Sequence, residues 1–184
     1  MLSVDLVAML LASLSIAFQL SGLLTPGWWI VETRTTSNQT VKYGIWRTIS
    51  CVDDDCTEKV TDATGTFAWL QVTKVFEVGA AVFAAAAVAC YVLSVFKNKW
   101  SVVLYRLFVC LMAGAGSAIL VGIAVFAKKC AGLTRYPKRD TAGGRIDWPM
   151  GLSAVAAILC FVDAVVVGLF LRTKKTLSEM NLMD

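Results

Sequence analysis

The side chains that could do chemistry in this chain are few and oddly placed. It contains no histidine, so the commonest general base and metal ligand is missing. No nucleophile motif, phosphate-binding glycine loop or paired intramembrane carboxylates stand in its place. That argues against an enzyme and implies no cofactor and no metal site. What the chain does carry is charge in blocks. Asp53, Asp54 and Asp55 form one acidic turn. Three carboxylates there would draw cations, as acidic rings do in channels, or bind calcium weakly, or simply keep a turn solvated. Lys128, Lys129, Arg135, Lys138, Arg139 and Arg145 face only Asp140 and Asp147 in a second, basic segment. It could dock on an acidic turn of a neighbouring molecule and set partner choice, or contact lipid headgroups or glycans. Tyr136, next to Pro137, offers an aromatic anchor at its tip. Cys51 and Cys56 form a close pair, and Asn38-Gln39-Thr40 is a glycosylation sequon.

Four long apolar runs must position these groups: Val4 to Leu24, Val75 to Phe96, Val102 to Ala127 and Met150 to Leu171. Each exceeds the ~20 residues that cross a hydrocarbon core as a helix, and in lipid the backbone must satisfy its own hydrogen bonds. With 58% hydrophobic and 16% charged residues, the chain reads as a four-span membrane protein. The first run has no Lys or Arg before Leu24 and ends in Leu-Thr-Pro-Gly, which makes it a retained span rather than a cleaved signal. The expected layout is spans at 4–24, 75–96, 102–127 and 150–171, loops at 25–74 and 128–149 on one side, and a 97–101 turn and 172–184 tail on the other.

Orientation pulls two ways. The larger loops carry eleven basic residues against five in the turn and tail, which by count alone would make the loops cytoplasmic. The cysteine pair and the sequon make sense in an oxidising compartment. The latter places the termini in the cytoplasm and both loops outside, so the basic loop lies on the wrong side for nucleic acid.

The first loop reads as a folded unit. Trp28 to Thr33 and Thr40 to Trp46 are rich in β-branched and aromatic residues, with turn chemistry at Ser37-Asn38-Gln39. A second hairpin turns around Val52 to Asp55, and a Cys51–Cys56 bridge closing so short a loop contributes roughly 2 kcal/mol in the chain-entropy model.

Trp29, then Gly44-Ile45-Trp46, then Cys51 and Cys56 resemble the Trp…Gly-Leu-Trp…Cys…Cys pattern of the claudin superfamily. That group spans claudins, peripheral myelin protein and its epithelial relatives, and calcium-channel gamma subunits. The layout is similar along the whole chain, and Trp69-Leu70-Gln71 is similar to the second-span entry of the myelin-protein branch. Ile45 stands where the family has Leu. The gap from Trp46 to Cys51 is longer, and the gap between the cysteines shorter, than in the family pattern. The tail ends Asn-Leu-Met-Asp rather than in a hydrophobic PDZ ligand. An invertebrate claudin-like protein would fit.

The resemblance implies a left-handed four-helix transmembrane bundle carrying a small extracellular antiparallel sheet. It also implies a protein of the plasma membrane that mediates cell–cell contact or a paracellular junction by associating with itself in cis or trans. The other reading is an auxiliary subunit of a channel or receptor in the same membrane, toward which Gly44-Ile45-Trp46-Arg47 leans. In the family, Trp29 and Trp46 support the sheet on the helix ends. Trp28, Trp69 and Trp148 fall where interfacial anchors belong. Cys130 is left over outside the spans, either shielded at the membrane edge or bridging protomers. Within the spans, Asp163 is the deep carboxylate and needs a partner. Arg106 is the nearest cation, and an Asp163–Arg106 pair is the expectation, ahead of a protonated Asp163 bonding a neighbouring helix and of a transport role. Gly114, Ala118 and Gly122, with Gly79, Ala80, Ala84 and Ala87, predict close helix packing.

Overall fold

A computed structural model describes residues 2–34, 38–53, 55–61, 68–96, 101–134 and 144–180. Among these residues lie four helices, α1 (Leu2–Leu24), α2 (Trp69–Phe96), α3 (Ser101–Thr134) and α4 (Trp148–Met180), and five strands, four between α1 and α2 and one between α3 and α4. The strands are β1 (Trp29–Arg34), β2 (Asn38–Tyr43), β3 (Arg47–Val52), β4 (Asp55–Val60) and β5 (Arg145–Ile146). Val4–Leu24, Trp69–Ser94, Ser101–Ala131 and Trp148–Lys174 are each long and apolar enough to cross a membrane.

The helices run past their apolar cores. α2 begins six residues before Val75, α3 continues through Lys128, Lys129 and Cys130, and α4 extends beyond Leu171. Lys128 and Lys129 are exposed on the last turns of α3, where cations complement the C-terminal end of the helix dipole. The basic segment therefore starts as helix rather than loop.

The helices pack in a ring, α1 on α2 and α4, α3 on α2 and α4. Each buries a stripe whose members alternate three and four residues apart, the spacing of knobs-into-holes bundles. On α3 the stripe is Phe108, Met112, Ala115, Ile119, Phe126 and Cys130; on α2 it is Ala80, Ala84, Ala87 and Tyr91. The small residues are where the predicted close packing occurs. Gly114 meets the Phe83 ring, while a Cβ on Gly22 would run into Pro149 and Ser153 of α4. Gly79, by contrast, faces open space.

The sheet has the order β4-β3-β2-β1-β5 and is antiparallel throughout. Cys51 stands directly opposite Cys56 in the β3–β4 register, and the two are disulfide-bonded. Asp53 turns the hairpin with a φ of 44°, a left-handed conformation that Asp tolerates better than most residues. Asn38 opens β2 opposite Arg34 instead of sitting in the turn. The fifth strand was invisible in the sequence: Arg145 and Ile146 from the second loop pair with Ile30 and Trp29 of β1. Glu32 and Arg145 reinforce this edge with a 3.1 Å ion pair.

A second buried cluster joins sheet to bundle: Leu23, Trp28, Trp29, Ile45, Leu70, Phe126, Cys130 and Met150. Trp28 is fully enclosed. Its indole N–H donates to the Gly22 carbonyl at 2.8 Å, and its ring meets Phe126 edge-on at 5.2 Å. It is a core residue, not an interfacial anchor, because the chain reverses at Gly27 (φ 97°) and folds the ring back over the helix ends. Trp148 opens α4 and is 59% exposed.

Candidate functional site

Two regions hold the polar groups: the outer surface of the sheet and the interior of the bundle. On the sheet, Gly44 sets the geometry. Its N–H donates to the Arg47 carbonyl at 2.9 Å, and a Cβ there would lie 2.8 Å from that oxygen, 3.0 Å from Pro26 Cα and 3.1 Å from Gly27 N. All three are backbone atoms, so only glycine fits. The tight bend sends the next two side chains opposite ways. Ile45 is 1% exposed and points into the junction cluster, whereas Trp46 is 36% exposed with the Lys74 ammonium 5.0 Å from its ring centre. The expectation that Trp46 would pack beneath the sheet is thus corrected. Ile45, Trp28 and Trp29 hold that place.

Beneath this bend lies a small pocket lined by Tyr43, Gly44, Thr61, Trp69, Leu70, Phe126 and Cys130. Burial pushes the Tyr43 phenol above its ordinary value of 10.0, with Cys130 nearby adding to the effect. Cys130 is 2% exposed and keeps its thiol. Its place on α3, under the sheet, favours the shielded reading over a bridge between protomers.

The acidic turn lies at the far corner. Asp53 and Asp55 are exposed at the tip of the β3–β4 hairpin, at the opposite edge from β5; Asp54 lies outside the described residues. Arg47 pairs with Glu58 at 3.0 Å across this hairpin, and all six residues of β4 are exposed. Of the basic segment, Arg135, Tyr136, Lys138 and Arg139 lie outside the described residues, as does the side chain of Asn38. Lys128 and Lys129 belong to α3 and Arg145 to β5, so among the described residues the charge blocks do not form one patch.

The interior departs furthest from expectation. Asp163 is fully buried and neither carboxyl oxygen has a hydrogen-bond partner, while Arg106 is exposed on α3. The predicted Asp163–Arg106 pair is not formed: the Arg106 side chain lies on the outside of the bundle. A second carboxyl, Glu77, is equally buried. Because α2 starts at Trp69, ahead of its apolar run, Glu77 lies roughly 12 Å along the helix. Gln19 of α1 donates its amide N–H to Glu77 Oε2 at 2.6 Å. Gly122 of α3 leaves the space that the Glu77 carboxyl fills. Below them Ser15 bonds the Ala156 carbonyl and the Cys160 sulfur, at 3.2 and 2.9 Å. At the end opposite the sheet, Tyr91 and Tyr105 donate to Asp5 at 2.6 and 3.4 Å.

Among the described residues no three His, Cys, Asp or Glu side chains gather as metal ligands. No protein-family model matches the sequence, and no curated protein matches it.

Proposed function

We propose that this chain is a claudin-like membrane protein. Its left-handed bundle spans the plasma membrane with cytoplasmic termini, and its extracellular sheet makes contacts between neighbouring cells, forming or tuning a junction. The observation that carries this reading is the build of the sheet. Both loops contribute strands, a disulfide clips the outer hairpin, and buried Trp28, Trp29 and Ile45 root it in the bundle. A rooted sheet presents its outer edge in a fixed orientation, which lowers the ordering cost of binding. That edge, β4, has exposed side chains throughout, with Val60 at 83%, and offers its unpaired backbone to a strand of another molecule. The acidic tip at Asp53 to Asp55 would then govern charge at the contact. Lipid is the solvent for the four helices, and a second copy is the first partner.

The test is live imaging of the tagged protein in junction-less fibroblasts mixed with untransfected cells. Enrichment only at borders between two expressing cells is expected; uniform plasma-membrane signal would remove the homophilic reading.

A second reading, an auxiliary subunit of a channel or receptor in the same membrane, is favoured by Gly79 on α2 and Gly151 and Gly168 on α4. Each faces open space, leaving notches on the lipid-facing surface where a partner helix could approach closely. Affinity purification in mild detergent distinguishes it: a co-purifying channel favours the subunit.

A further inference from the structure

The bundle interior of a sheet-bearing contact protein needs only apolar packing, and this one holds a file of polar groups instead. It begins at the sheet end, where the pocket lined by Trp69 and Leu70 opens one turn above Thr73. Thr73 precedes Glu77 by four residues on the same face of α2, and both are fully buried. Glu77 is bonded to Gln19. Gln19 follows Ser15 by one turn on α1, and Ser15 touches the Cys160 sulfur. Asp163, fully buried, lies one turn further along α4. Tyr91 and Tyr105 close the file on Asp5, which is half-buried at the far end.

Thus α1, α2, α3 and α4 all send hydroxyl, thiol, amide or carboxyl groups to one line, and no cation on the described residues faces either buried carboxyl. Several atoms along the line have no partner within the protein: Thr73 Oγ1, Glu77 Oε1, Gln19 Oε1 and both Asp163 oxygens. Buried polar atoms left unpaired cost about 1–3 kcal/mol each, and intramembrane carboxyls without a counter-charge mark ion or proton routes by default.

We propose that this file conducts protons from one membrane face to the other. The inference rests on the membrane-spanning reading above. The carboxyls of Glu77 and Asp163 are the carriers. Each hop breaks one O–H or S–H bond on the donor and forms one on the acceptor, directly where Ser15 meets Cys160 and Tyr91 meets Asp5, and elsewhere through water held on the unpartnered oxygens of Thr73, Glu77, Gln19 and Asp163. One proton enters beside Thr73 for each that leaves at Asp5, or the reverse, and nothing is oxidised or reduced. Gly122 brings α3 close against the Glu77 carboxyl.

The full chain is reconstituted into liposomes that enclose a pH-sensitive dye and carry a potassium gradient. Valinomycin then sets the membrane potential, and the initial rate of internal pH change is read. Resistance to alkaline extraction verifies insertion, and retention of a trapped anionic dye excludes general leak. Proton flux above that of protein-free vesicles is expected. E77Q and D163N, which keep size and hydrogen bonding, should each lower it at least roughly tenfold, the change that about 1.4 kcal/mol of added barrier produces. S15A should do the same without removing a carboxyl, while K174Q on the exposed end of α4 should leave it unchanged. An inserted protein with no flux, or flux that survives the E77Q/D163N double variant with Cys130 still protected from a thiol reagent, overturns the proposal. Failure to insert would overturn the membrane reading itself, and this inference with it.

Discussion

Ile45 gives the sharpest test of how the sheet is held. Its side chain is 1% exposed in a cluster with Trp28, Trp29, Leu70 and Phe126. Truncation to Ala removes three carbons from a cluster whose other members come from all four helices and the start of the sheet. Such surroundings collapse poorly, so the expected cost is about 2–5 kcal/mol, against about 0.5–1.5 kcal/mol for Ile45→Val. That loss falls on the junction rather than on the four helices, whose own core is separate. Cys130 supplies the readout, because its thiol lies 2% exposed under the bend at Gly44 and reacts only when the sheet lifts. If opening is fast relative to labelling, the rate follows the opening equilibrium. Each 1.4 kcal/mol is then a factor of about ten. Ile45→Ala should speed modification of the Cys130 peptide, followed by mass spectrometry, by at least roughly 25-fold, and Ile45→Val by about 2- to 13-fold. Wild-type labelling rates in Ile45→Ala, with the Cys51–Cys56 bridge intact, would refute the view that this residue roots the sheet.

Gly44→Ala should be worse than its one added carbon suggests. The new methyl meets backbone on three sides and no rotamer relieves it, so a loss above about 1–3 kcal/mol should show in the same labelling assay. Replacing Cys51 and Cys56 with Ser should cost roughly 2 kcal/mol, confined to the β3–β4 hairpin. Limited proteolysis should then cut between residues 47 and 60 while the helices stay protected. For Tyr43, burial makes the folded state hold the phenolic proton more tightly than the unfolded chain does. Its contribution is therefore intact below pH ~10 and lost as pH rises through the raised value. Cys130 protection, measured with a reagent that is insensitive to pH, should fall in that alkaline window and fall less in Tyr43→Phe.

Length and composition made the four helices legible, because an apolar run of that extent has few other solutions. The outer hairpin was equally plain: two cysteines flanking an acidic turn left little freedom in register. The helix ends were not legible, since tertiary support carries α2 and α3 beyond their apolar cores, as at Trp69 and Lys128. β5 was hidden because a two-residue strand has no periodicity and exists only by pairing with Ile30 and Trp29. The Gln19–Glu77 bond escaped notice for a related reason. Gln19 reads as a lone polar residue in an apolar run, and only the register between α1 and α2 shows what it meets. Arg106 was assigned to Asp163 by depth alone, but the azimuth of a residue on its helix decides its partner, and Arg106 points away.

The short β5 also has a mechanical consequence. Without it the sheet would hold to the α3–α4 hairpin only through buried side-chain contacts such as Trp28 on Phe126. Two residues of ladder and the Glu32–Arg145 pair stitch the halves together, so a tug on the β4 edge is shared in shear by both helical hairpins. The stitch is also the weakest seam, with an ion pair that salt screens. Under load β5 should part before the buried Trp28 lets go, and the sheet would then tilt as a plate hinged near Gly27.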